Sequence, residues 1–90
     1  MHRKVEVKNK ELFTKIKELS NPSKFRILEI IENGKMSVTL LAKKVNLAFN
    51  KCSNYCSQME KVNILTKEKK GKNVFVKSRL EIKELEKVFR

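Results

Sequence analysis

From Asn9 to Val62 the apolar residues of this chain recur every three or four positions; from Asn63 to Lys77 they alternate instead. The switch from a period near 3.6 to a period of 2 predicts a set of helices followed by a short β-hairpin. In "NKELFTKIKELS", Leu12, Ile16 and Leu19 share a stripe with Phe13 at its edge, which predicts a first helix over 8–20. "NPSKFRILEIIENG" brings its own punctuation: Asn21 can cap, Pro22 suits the first helical position and Gly34 follows the last turn. The broad apolar face between them (Phe25, Ile27, Leu28, Ile30, Ile31) predicts a central core helix over 22–33.

A third, short helix starts at the capping residue Ser37 and lines up Val38, Leu41, Ala42 and Val45; Asn46 tolerates the left-handed turn that ends it. The fourth spans 49–62. Beyond it, Ile64–Lys67 and Asn73–Lys77 are β-prone runs around a turn of lysines and Gly71, which predicts a hairpin over 64–77. "RLEIKELEKVF" then places Ile82, Leu85 and Phe89 at helical spacing with Val88 alongside, a fifth helix over 79–89. The expected order is α-α-α-α-β-β-α in one domain, 1–90, mainly α with a small β-hairpin.

Ninety residues bury only a modest core, which makes self-association an expectation. The spare apolar stripes lie on the first and last helices, so Leu12, Phe13, Ile16, Leu19, Ile82, Leu85, Val88 and Phe89 are the expected dimer contacts. The formal charge of +12 is concentrated: seven basic residues stand between Lys61 and Arg79 against Glu68 alone. Such a balance suits a polyphosphate backbone, or a solvated lysine-rich surface.

Other function classes find little support. No apolar run reaches the roughly 18 residues of a membrane span, and the basic start lacks an apolar signal core. The chain is expected to be cytoplasmic and nucleoid-associated. It has no aspartate, one histidine at position 2, two glycines and no Gly-rich phosphate loop. No catalysis, cofactor, metal or small-molecule ligand is expected.

Cys52 and Cys56 are the only cysteines. At about 100° per residue they fall on one side of the fourth helix with Met59, flanked by Tyr55 and Val62. Zinc prefers four ligands, and two thiols with a distant His2 do not supply them. An intrahelical disulfide is strained, because i,i+4 Cβ atoms lie about 5–6 Å apart against the roughly 3.8 Å a disulfide needs. The pair reads as a buried seam. Asn50, Asn54, Ser57 and Lys61 cluster opposite, with Ser53 beside them.

A short helix with "LLAKKV", the turn "NLA", a second helix and a basic hairpin follow the order of a helix-turn-helix with a wing. Residues 19–78, about two-thirds of the chain, resemble the winged helix-turn-helix transcription regulators, nearest to ArsR-like repressors and small archaeal winged-helix proteins. "LSNPSKFRILEII" resembles the family's helix that begins after a proline, and "SVTLLAKKVNLAFNKCSNYCSQMEKVNIL" its helix-turn-helix (37–62). "KGKNVFV" resembles the returning strand of its wing.

The resemblance implies a homodimer on double-stranded DNA. Asn50, Lys51, Ser53, Asn54 and Ser57 of the recognition helix would read bases, and Lys61, Lys67, Lys69, Lys70 and Lys72 would hold phosphates. The flanking helices would dimerise. Departures are Asn46 and Asn63 where glycine is frequent, and Ala48 where a capping serine is usual, which allows a start at Asn50. The stretch "MSVTLLA" lacks the cysteine pair of metal-sensing relatives. Two other readings fit the same charge: a non-specific architectural DNA coater, and a winged helix serving protein or RNA contacts.

Overall fold

The computed structural model describes residues 2–79, with side chains from Lys10 onward. The chain runs α1 (His2–Leu19), α2 (Pro22–Ile31), β1 (Met36–Ser37), α3 (Val38–Lys44), α4 (Phe49–Lys61), β2 (Leu65–Lys70) and β3 (Asn73–Ser78). The expected fifth helix over 79–89, with Ile82, Leu85, Val88 and Phe89, lies outside the described residues beyond Arg79.

α1 begins at His2 and not near residue 8; no glycine or proline before Pro22 stops the helix from running back. It ends against the cap expected of the next helix. The Asn21 side chain accepts hydrogen bonds from the backbone N–H of Ser23 at 2.9 Å and Lys24 at 3.2 Å, and Pro22 follows in the first turn. Ser37 does the same for α3, accepting from Leu40 N–H at 3.2 Å.

α3 and α4 end by one device. Asn46 (φ 56°) and Asn63 (φ 64°) are left-handed. After α3, the N–H of Leu47 donates to Ala42 C=O at 2.9 Å and that of Asn46 to Lys43 C=O at 3.3 Å; after α4, Ile64 donates to Met59 and Asn63 to Glu60, each at 3.0 Å. Both are Schellman motifs, which satisfy carbonyls a helix end leaves open.

The sheet has three strands where the sequence suggested two. Its order is β1-β3-β2, all antiparallel. β1 was not foreseen because two residues show no period; Met36 and Ser37 become a strand only by pairing with Val76 and Phe75. β2 also runs further than expected, to Lys70, since Lys70 pairs with Asn73 and leaves Gly71 and Lys72 as a two-residue turn. Gly71 has φ +60° while Lys72 does not, the pattern of a type II′ hairpin turn, whose twist matches the strands it joins.

One core holds these elements together. Ile27, Leu28 and Ile31 from α2, Val38 and Leu41 from α3, Cys52, Cys56 and Met59 from α4, and Ile64, Leu65 and Val76 around the sheet are all buried. Leu19 belongs to that core, and Ile16 packs against it. Two of the stripe residues assigned to dimer contact are thus already used inside the protomer. Of the α1 stripe, Phe13 stays 72% exposed and Leu12 half-buried.

Candidate nucleic-acid interface

α4 is built to show one face. Its buried seam of Cys52, Cys56 and Met59 has no exposure and seats it on α3, α2 and β2. On the other side Asn50 and Asn54 are exposed and Ser53 and Ser57 half-buried. The helix starts at Phe49, with Ala48 in the capping position and no side-chain hydrogen bond there; the alternative start at Asn50 is not the one adopted. Ala48 C=O still accepts from Cys52 N–H at 3.0 Å, which fixes the first turn.

The lysines divide into groups. Lys69, Lys70 and Lys72 are exposed around the hairpin turn. Lys67, one strand turn closer to the helices, donates to Ser57 Oγ at 2.8 Å and ties the wing to α4. Lys51 lies with its ammonium 5.8 Å from the centre of the Tyr55 ring; at about 100° per residue this is the flank away from Ser53 and Ser57. Lys61 stands apart from the wing lysines. It lines a cleft of about 230 Å³ with Glu11, Thr14 and Lys15 of α1 and with Val62 and Asn63.

Glu68 is the acidic residue within the wing. Its carboxylate meets Lys35 at 3.4 Å and Lys70 at 3.5 Å. The hydrogen bond from Lys35, then the charge of Lys70, hold its carboxyl below the usual range. Lys35 also lies 5.7 Å from the Phe75 ring centre. The one negative charge of the wing is thus neutralised from two sides.

Sequence reasoning passed over two residues. Phe49 is 51% exposed at the start of α4; an aromatic side chain near the seam reads as core, and only its place in the first turn hints otherwise. Lys24 is buried, bonded to the carboxylate of Glu18 in α1 and the side-chain oxygen of Gln58 in α4. Its signal was available, since Lys24, Ile27, Leu28 and Ile31 share the i, i+3, i+4, i+7 stripe.

The cysteine thiols are free and buried. Burial, then the neighbouring Cys52, pushes the Cys56 thiol up to about 12, and burial raises Cys52 as well. Thiolates are the reactive and metal-binding form, so this environment makes both inert near neutrality. Among the described residues no three His, Cys, Asp or Glu side chains gather as a metal site.

A family model described as winged helix-turn-helix matches residues 24–88. The chain belongs to the winged helix-turn-helix family. Solved structures agree on the shape of this winged-helix domain. It is similar to reduced HlyU from Vibrio cholerae N16961, with a TM-score of 0.81 at 18% identity over 97% of this chain and 93% of that one. NolR from Sinorhizobium fredii gives 0.79 at 20% identity over 94% and 87%. Mb0332 from Mycobacterium bovis, solved in solution as a homodimeric winged helix-turn-helix DNA-binding domain and described as a possible ArsR-family regulator, gives 0.80 at 16% over 99% and 85%. At these identities the likeness establishes the winged-helix fold alone. No curated protein sequence matches the domain. No helix among its described residues is long and apolar enough to cross a membrane.

Proposed function

We propose that this winged-helix domain is a sequence-specific transcriptional regulator that binds double-stranded DNA as a homodimer and represses by occluding a promoter. The observation that carries the reading is the two-faced α4: a fully buried seam of Cys52, Cys56 and Met59 holds the helix while exposed Asn50 and Asn54 face outward. In a helix-turn-helix the second helix enters the major groove with its N-terminal residues at base edges. Asparagine suits this role because its amide can both donate to and accept from adenine. Ser53 and Ser57 are the neighbouring readers.

The lysine wing supplies the part of the affinity that carries no sequence. Lys69, Lys70 and Lys72 face phosphates on this reading, and Lys67 joins them through its bond to Ser57. Lys51 joins the base readers at the start of α4, and Lys61 contacts the backbone at its end. The homodimer is supported by the homodimeric state of the similar Mb0332 domain and by exposed Phe13. Promoter occlusion follows the resemblance to ArsR-like repressors. The reading assigns no catalysis, cofactor or metal to the chain.

Selection of bound sites from random double-stranded DNA, followed by footprinting, tests it. Discrete palindromic sites with half-sites about one helical turn apart are expected, and Asn54→Ala should weaken binding to them while leaving random DNA unchanged. Uniform protection of every fragment, with equal loss for the variant on all DNA, would replace the regulator by an architectural coater.

A further inference from the structure

Phe49 is exposed at a place where an aromatic ring has no structural task. It is 51% accessible in the first turn of α4, outside the core and not among the side chains packed against it. Its neighbours set its chemistry. Between Lys43 and Tyr55 the chain carries Lys43, Lys44 and Lys51 and no acidic residue, and Ala48 beside it is exposed and offers no polar cap. Phe49 is thus an exposed apolar tip at the leading end of α4, in a stretch of sequence that carries no negative charge.

Helix geometry fixes where that tip reaches. Side chains lean toward the N-terminus, so a first-turn residue covers the leading end of the helix. At about 100° per residue Phe49 stands about 40° from Ser53, at the edge where the outward face meets the seam, and about 100° from Asn50. A polyanion that also presents an apolar group fits this combination. Among the four DNA bases only thymine carries a methyl group into the major groove, and phenylalanine is one of the side chains that contacts it.

We propose that Phe49 is a specificity-determining residue that reads the C5-methyl group of one thymine per half-site, from the Ser53 edge of the reading face and the leading end of α4. The inference rests on α4 being the base reader. It adds a selection the amides cannot make, because thymine and uracil present the same polar edge and differ in the methyl alone.

The test replaces each thymine of a selected site, one at a time, by deoxyuridine, and measures affinity for the unaltered protein and for Phe49→Ala. One position per half-site should weaken the unaltered protein by about fourfold, the effect of one methyl group returned to water. At that position Phe49→Ala should bind thymine and uracil equally, while remaining sensitive to base changes opposite Asn54. Phe49→Leu, which keeps an apolar tip, should retain part of the discrimination. If no thymine shows a methyl effect that depends on Phe49, this inference fails and the regulator stands. If selection yields no preferred site, the regulator reading falls and this inference with it.

Discussion

The ammonium group of Lys24 in α2 stands 5.2 Å from the centre of the Tyr55 ring in α4. The same ammonium is bonded to Glu18 of α1 and Gln58 of α4, so one buried cation joins three helices. A buried charge is tolerable only while its partners remain. Glu18→Gln leaves that cation without a counter-charge, and the domain should lose about 1–3 kcal/mol. Lys24→Met removes the charge and keeps the apolar stem, and Glu18, 23% exposed, can turn to water. It should be the milder change. Urea midpoints of the two variants check the order; equal losses would mean that packing, not charge, governs the site.

The wing gives a prediction in salt. Lys69→Gln and Lys72→Gln should each reduce the slope of log affinity against log salt by about 0.9, one phosphate contact each. Lys70→Gln should do less, since Glu68 lies 3.5 Å from its ammonium. Glu68→Gln should tighten binding, because it frees Lys35 and Lys70 together. Titrations at several salt concentrations measure all four.

The buried thiols predict a loss of stability in alkali. The Cys56 thiol is raised from an ordinary value of 9.0 to about 12. Above pH 9 the unfolded chain gives up this proton while the folded one keeps it, so stability falls as pH rises between these values and is fully present below pH 9. Cys56→Ala should flatten that part of the profile relative to the unaltered protein. Thiol reagents at pH 8 should modify the native protein only as fast as it opens.

Asn63, at φ 64°, should be replaceable by glycine with little change. Asn63→Ala should cost about 1 kcal/mol, since an ordinary L-residue is disfavoured in the left-handed region. Asn46, at φ 56°, should behave alike. Thermal unfolding of the four variants separates the backbone effect from side-chain loss.

Much of this molecule is legible in its residues where the cause is local. The 3,4 spacing of Leu41, Ala42 and Val45, the caps Asn21 and Ser37, and the left-handed tolerance of Asn46 and Asn63 act within a few positions, and each element they predict is present. β1 is not legible, because Met36 becomes a strand only through Val76, far along the chain. Leu19 and Phe13 look alike on a helical stripe, and only the packing of α2 decides that one is buried and the other exposed. The site divides the same way. The outward face of α4 follows from its seam, whereas the bond from Lys67 to Ser57, the stacking of Lys51 and the separation of Lys61 depend on how the hairpin and α1 come to rest.

The two-residue strand has a consequence for engineering. Met36 and Lys67 lie on either side of Val76 in the sheet, about two strand spacings or roughly 10 Å apart. Residues 37–66, with both helices of the helix-turn-helix, leave and rejoin the frame through that single gap. They form an inset whose ends are held by strand pairing and whose helices are held by their buried seams. The outward positions Phe49, Asn50, Ser53 and Asn54 can then be exchanged for another address, with Cys52 kept in the seam, while the frame keeps its register, which makes the domain a mount for interchangeable readers.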